Sequence, residues 1–282
     1  MRDFIAFAKD CLKSTYPPQE ISQISRLLLE KMAGLDSMQF YGGKDIKIPA
    51  YLAVKLREAV ERLVKHEPLQ YILGETEFSG LTLHIRPGVL IPRPETEELV
   101  ELIARDFKQR GKIRILDICT GSGCIALALY KKFPDSVVEA WELSAEALQI
   151  AMENAKINSA TILFSKLDVL NFKPSLKLYE SMDIMVSNPP YVCRSEQKVM
   201  ESKVMDFEPH LALFVEDNDP LVFYRSIADI GMKMLRKGGC LYFEINSLLW
   251  KETMDLINSF PFSDVSIHKD ISGRERFIKV QK

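Results

Sequence analysis

The amino-acid sequence predicts an α/β protein whose mostly parallel, doubly wound sheet follows a helical N-terminal segment. Three observations predict it. Apolar residues recur at helical spacing through the first third with no strand signal, helix and strand patterns alternate from Glu95 onward, and a glycine-rich turn joins the first of those strands to its helix.

The elements follow in order. Ile21, Ile24, Leu27 and Leu28 share one helical face before Gly34, and Leu52, Leu56, Val60 and Leu63 share another before Pro68. Between Gly74 and Pro94 the period shortens: Leu81, Leu83 and Ile85 alternate, with Gly80, Pro87 and Gly88 as turn formers, so a hairpin is expected there. Helix 95–109, strand 113–118, helix 125–133, strand 137–141 and helix 144–154 then succeed one another as βαβ units do. Strands near 161–164 and 183–187, a helix over 220–236 and a strand over 240–245 continue the series. Segments 265–268 and 277–280, around Ser272 and Gly273, read as a final antiparallel hairpin. The expected domains are a helical one over 1–74, a hairpin linker over 75–94 and an α/β domain over 95–282.

Composition narrows the class. A chain of 282 residues with 47% hydrophobic and 27% charged residues buries an ample core. A net charge of -2 and a pI near 6.2 leave no overall basic field for a nucleic-acid backbone, so direct nucleic-acid binding is not expected. Cys11, Cys119, Cys124, Cys193 and Cys240 are scattered, odd in number and free of any C-x-x-C pair, which points away from a disulfide framework or a zinc site and toward a reducing, cytoplasmic setting. His66, His84, His210 and His268 never adopt metal-ligand spacing, so no metal is expected. No apolar run approaches the roughly 18 residues of a membrane span, and the start of the chain has no apolar signal core.

Two motifs carry chemistry. Asp117-Ile118-Cys119-Thr120-Gly121-Ser122-Gly123 lies between a strand and a helix, where glycines let backbone N–H groups approach a nucleotide-like cofactor. Glu142 ends the next strand about 20 residues further on, where an acid accepts both hydroxyls of a ribose in such folds. Asp168, after the following strand, is a candidate partner for an adenine amino group; its plainer reading is an aspartate that caps its own turn. Asn188-Pro189-Pro190-Tyr191 follows the apolar run Ile184-Met185-Val186. Its Asn side-chain oxygen and a proline-locked carbonyl offer two acceptors to a planar NH2 group, and Tyr191 offers an aromatic face.

Gly121-Ser122-Gly123-Cys124-Ile125-Ala126 also satisfies the dinucleotide pattern G-x-G-x-x-A. No proton-transfer pair for hydride chemistry accompanies it, whereas a methyl-sulfonium cofactor needs only alignment of an NH2 nitrogen with the methyl carbon. Acceptors on the two N–H hydrogens orient the lone pair and stabilise the charge that develops on nitrogen.

Together these motifs resemble the S-adenosylmethionine-dependent amino-group methyltransferases. Pro68 to Gly74, Phe78, Leu90 to Glu97, Phe207-Glu208-Pro209 with Ala212-Leu213, and Asp270 to Phe277 are similar to the HemK/PrmC family within them, which methylates release factors. The resemblance implies a Rossmann-like catalytic domain behind a small helical domain that helps grip a protein substrate. It also implies transfer of a methyl group from S-adenosylmethionine to the glutamine amide nitrogen in the Gly-Gly-Gln loop of class-1 peptide-chain release factors. Carried over by residue, Thr120, Gly121, Ser122 and Gly123 match the cofactor turn that Cys119 opens, Glu142 takes the place usually held by an aspartate, and Val169 falls beside adenine, next to Asp168. Asn188, Pro189, Pro190 and Tyr191 match the substrate clamp. Cys119 stands where the family usually has a glycine, and its β-carbon disfavours positive φ. Val169 stands where some relatives have an aromatic, and Asn246 replaces a common glycine. A monomer is favoured, and the oligomeric state is otherwise open. The competing functions are an adenine-N6 methyltransferase on DNA or RNA, a non-catalytic cofactor-binding module, and a nicotinamide-dependent oxidoreductase.

Overall fold

The structure, a computed structural model, describes residues 1–42, 46–108, 111–200 and 202–282. It divides into two compact units, Met1–Glu75 with Glu201–Phe207, and Thr76–Met200 with Glu208–Lys282.

The first unit is helical: α1 (Arg2–Leu12), α2 (Pro18–Ala33), α3 (Ser37–Tyr41), α4 (Ala50–Val64), α5 (Leu69–Leu73) and a short later helix, Ser202–Phe207. Helical spacing decides which side chains are buried. Phe4, Ala8 and Leu12 of α1, Ile21, Ile24 and Leu28 of α2, and Leu52, Leu56, Val60 and Leu63 of α4 form one apolar cluster. Proline opens α2, where its missing N–H costs nothing, and Gly34 ends it at φ +65 with its N–H returned to the Glu30 carbonyl.

The second unit begins with the hairpin β1 (Glu75–Phe78) and β2 (Leu81–His84). Ser79 and Gly80 link them with φ of 48 and 70, the paired positive values that a two-residue hairpin turn requires. Then come α6 (Pro94–Asp106), β3 (Arg114–Ile118), α7 (Cys124–Lys132), β4 (Val137–Glu142), α8 (Ala145–Ile157), β5 (Ile162–Lys166) and β6 (Met182–Ser187). The two-residue strands β7 (Val192–Cys193) and β8 (Phe214–Val215) pair with each other, and α9 (Val222–Met234), β9 (Leu235–Glu244), α10 (Trp250–Asn258), β10 (Asp264–Lys269) and β11 (Glu275–Gln281) complete the unit.

The seven-stranded sheet has the order β10-β11-β9-β6-β3-β4-β5. Strands β3 to β6 and β9 are parallel, while β11 runs antiparallel to both β9 and β10. All six residues of β6 are buried, as a central parallel strand covered on both faces requires. The order reverses between β3 and β6, because the chain runs outward through β4 and β5 and then returns to pair β6 with β3. Such a switch point opens a crevice beyond the carboxyl ends of its strands.

The α/β alternation, the parallel sheet and the C-terminal antiparallel hairpin are as the sequence predicts. Element boundaries differ by a few residues, and two of the differences bear on the sheet and its first helix. The helix expected over 220–236 stops at Met234, and Leu235 and Arg236 already lie in β9. Gly238 at φ +76 and a register shift between Met182 and Ile184 absorb the change, and a β-carbon on Gly239 would come within 3.0–3.1 Å of the Arg236, Met182 and Asp183 carbonyl oxygens. The helix expected over 95–109 spans Pro94–Asp106, and its expected end at Gln109 lies outside the described residues.

Candidate active site

At the switch point lies a mostly apolar cleft whose walls include Gly121, Glu142, Val169, Asn188, Thr96 and Phe223. Strand pairing places its two motifs side by side. Ile118 is in register with Ser187, whose hydroxyl donates to the Ile118 carbonyl at 2.7 Å, so Cys119 and Asn188 leave adjacent strand ends.

The glycine-rich turn is folded mainly by near neighbours. Asp117, fully buried, accepts from the Thr120 hydroxyl at 2.6 Å and from the Ala126 N–H at 3.1 Å through one oxygen, while its other oxygen has no partner. Burial pushes its carboxyl up to about 7. Thr120 N–H donates to the Trp141 carbonyl, and Gly123 N–H to that of Thr120. Gly121 and Gly123 take φ of 55 and 83, and Cys119 takes φ +62 in spite of its β-carbon. A β-carbon on Gly123 would sit 3.2 Å from that of Ala151, so glycine lets α7 approach α8; one on Gly121 would meet nothing within 4 Å.

Glu142 closes the turn from the end of β4. One of its oxygens accepts from Gly121 N–H and the other from Ser144 N–H, both at 2.9 Å, so each keeps a lone pair for a further donor. Asp168 accepts from Leu170 N–H at 2.9 Å and from the Asn171 amide at 2.7 Å, the bonds of a residue that holds its own turn, while it also lines the cleft. Val169 is buried, at 5% exposure, and contributes apolar wall. Cys119 and Cys124 line the cleft as well. Burial pushes the first thiol upward and the second to about 12, so neither is a thiolate at neutral pH.

Asn188, Pro189, Pro190 and Tyr191 follow β6, and Asn188 and Pro190 line the cleft. Their supports come from distant segments. The Asn188 amide donates to the Thr96 hydroxyl at 3.3 Å, Thr96 donates to one Glu244 oxygen at 2.7 Å, and the Tyr191 hydroxyl donates to the other at 3.1 Å. Tyr224 donates to the Glu244 carbonyl at 3.2 Å. Asn246 donates to the Tyr191 carbonyl at 3.1 Å and to Glu196 at 2.9 Å. Burial raises the Glu244 carboxyl and the Tyr191 hydroxyl above their ordinary values.

Sequence reasoning assigned no role to Thr96, Glu244 or Asn246. The signal available was an acid, Glu244, inside the otherwise apolar run 240–245. Also unassigned was Asn154 of α8, fully buried, which bonds the N–H and carbonyl of His84 at 2.6 and 3.1 Å and the Ser122 carbonyl at 3.0 Å, tying the hairpin to the glycine-rich turn. Among the described residues, no group of three or more His, Cys, Asp or Glu could hold a metal ion, and no helix is long and apolar enough to cross a membrane.

Comparison with known proteins agrees with this geometry. The family described as PrmC N-terminal domain matches residues 3–74, and the methyltransferase small domain matches residues 81–210. A release factor glutamine methyltransferase of Bacteroides thetaiotaomicron is 45% identical over 282 residues, covering 100% of both chains. One of Flavobacterium psychrophilum is 41% identical over 272 residues, covering 95% of this chain and 94% of its own. In fold alone, the chain is similar to the T. thermophilus 16S rRNA N2 G1207 methyltransferase in complex with AdoMet and guanosine, with a TM-score of 0.54 and 18% identity over 74% of this chain and 49% of that one. With a glycine-rich turn and an Asn-Pro-Pro-Tyr segment on adjacent strand ends and relatives above 40% identity along nearly the whole chain, this protein belongs to the release factor glutamine methyltransferase family.

Proposed function

We propose that this S-adenosylmethionine-dependent enzyme methylates the side-chain amide nitrogen of the glutamine in the Gly-Gly-Gln loop of a class-1 peptide-chain release factor. The observation that carries the reading is the shared cleft: Asn188 and Pro190 line the same space as Thr120, Gly121, Ser122 and Glu142.

The residues present fit S-adenosylmethionine. Gly121 is open to the cleft, the Glu142 oxygens retain acceptor capacity for ribose hydroxyls, and Ile118, Leu167 and Val169 provide apolar wall for adenine. Cys119, Thr120, Ser122 and Gly123 shape the turn around it, with Asp168 at the adenine edge. When bound, the cofactor supplies a methyl group on a sulfonium, an electrophile whose sulfur leaves with the bonding pair.

The protein's share is alignment. A glutamine amide is a weak nucleophile because its nitrogen lone pair is shared with the carbonyl, so positioning carries most of the acceleration. The Asn188 side-chain oxygen and the Pro189 carbonyl accept the two amide hydrogens, which turns the lone pair toward the methyl carbon. Pro190 keeps the segment rigid, and Tyr191, packed against the core and bonded to Glu244, anchors its end. As the N–C bond forms, the nitrogen becomes positive and strongly acidic, and its proton leaves to water.

In the helical unit, Tyr41, Tyr51 and Val54 are exposed, the last two one turn apart on α4, which suits a surface that grips a protein. On this reading the enzyme works in the cytoplasm, as a monomer, without direct nucleic-acid contact. The test is incubation with S-adenosylmethionine and a purified class-1 release factor, followed by peptide mass spectrometry, with an adenine-containing oligonucleotide in parallel. One added methyl on the Gly-Gly-Gln glutamine is expected; label on the oligonucleotide alone would overturn the reading.

A further inference from the structure

We infer that Thr96 and Glu244 fix which end of the Asn188 amide faces the cleft, making them positioning residues for methyl transfer. The inference rests on Asn188 acting as the clamp.

An Asn side chain has two ends of similar shape and opposite chemistry, an acceptor oxygen and a donor NH2. Only the oxygen can receive a substrate N–H. Nothing in the Asn-Pro-Pro-Tyr segment itself distinguishes the ends, so the distinction has to come from what Asn188 touches, and that is Thr96.

Thr96 is 2% exposed and sits in the first turn of α6, with its own N–H bonded to the Arg93 carbonyl. Its hydroxyl has one proton, which lies on the 2.7 Å bond to Glu244. Toward Asn188 it can therefore only accept, and the amide must present NH2 to it, leaving the side-chain oxygen at the opposite end. The reversed amide would set oxygen against an oxygen whose proton is already committed.

Glu244 gives the relay its direction. It is 1% exposed, and the hydroxyls of Thr96 and Tyr191 donate to its two oxygens, one each, as an ionised carboxylate requires. Burial disfavours that charge, while the nearby Arg276 guanidinium favours it, and Arg276 is itself held by Asp270 at 3.3 Å. Reversing the relay would need a proton on Glu244 that moves onto the Thr96 bond.

Three substitutions and two readouts test the inference. Thr96→Val keeps the shape and removes the hydroxyl; kcat should fall roughly tenfold, the effect of losing one hydrogen bond, with S-adenosylmethionine affinity within about twofold of the parent. Thr96→Ser restores the hydroxyl and should recover kcat to within about threefold. Glu244→Gln, which can donate or accept toward Thr96, should lower kcat several-fold and serves if Thr96→Val fails to fold. The second readout is the Asn188 side-chain NH2 in proton–nitrogen correlation spectra of the free protein. Its protection from exchange should be present in the parent and Thr96→Ser, and lost in Thr96→Val.

Unchanged protection and turnover in folded Thr96→Val would overturn the relay, as would a Thr96→Ser protein as slow as Thr96→Val. A parent enzyme that leaves the release factor unmethylated would count against the proposed substrate, and the spectra would still decide the relay.

Discussion

The glycine-rich turn after β3 and the Asn-Pro-Pro-Tyr segment after β6 leave neighbouring strands of one sheet, yet they are held in opposite ways. The turn is held from close by: Asp117 bonds residues 3 and 9 positions away, and Glu142 bonds one 21 away. The proposed clamp is held from afar, 92 positions separating Asn188 from Thr96, 148 Thr96 from Glu244, 53 Tyr191 from Glu244, and 55 Tyr191 from Asn246. A cradle for a cofactor can be written in a few consecutive residues because backbone geometry makes most of it. A clamp that must aim one side-chain oxygen needs partners that only the finished sheet brings together.

Substitutions on each side can break or sharpen that contrast. Asn188→Ala should have the largest effect, lowering turnover by about 10²- to 10³-fold, as loss of one preorganised polar group commonly does, while leaving S-adenosylmethionine affinity nearly unchanged. Calorimetry beside a methylation assay separates the two, and equal loss in both would join clamp and turn into one unit.

Next comes Asp117, whose folded pKa of about 7 stands above its ordinary 3.8. A raised folded value means that the group's contribution to stability is fully present below about 3.8 and is lost as pH rises through about 7, a change of a few kcal/mol. Asp117→Asn mimics the protonated form, so the unfolding midpoint of the variant should gain on the parent as pH rises from about 4 to about 7 and hold that gain above it. A constant gap between the two proteins would mean that Asp117 is ionised throughout at no cost.

Asn154→Ala should cost about 2 kcal/mol in urea unfolding, since it strands the buried Ser122 carbonyl and the part-buried N–H and carbonyl of His84. The smallest effect is at Cys119: Cys119→Gly should exceed Cys119→Ala in stability by about 1 kcal/mol, the strain of a β-carbon at φ +62. Equal stabilities would show that the turn is relaxed there.

The same contrast explains what could be read from the sequence. The sheet was legible because buried parallel strands such as 182–187 are short apolar runs between helical periods, and the turn because its glycines and acid are local. Asn188 to Tyr191, the proposed clamp, are singled out in the sequence by their chemistry. Thr96, Glu244 and Asn246 are not, since a threonine in a first helical turn and an acid at a strand end are ordinary until the fold brings them within 3.3 Å of the clamp or its supports. Cys119 is the reverse case: the β-carbon was visible and its disfavour of positive φ sound, but the surrounding bonds of the turn impose that conformation anyway.

The order of strands at the β10 end of the sheet also has a consequence for synthesis. β11 lies between β9 and β10, although it follows both in the chain. While a ribosome is making the protein, β9 and β10 emerge with the place between them empty, and β10 has no neighbour in the sheet until residues 275–281 appear. For that interval β9 presents an unpaired edge of the kind that recruits strands from other chains. The enzyme is thus most vulnerable to misassembly until those residues take their place, and a released chain truncated after residue 274 should be captured by chaperones more than the full chain.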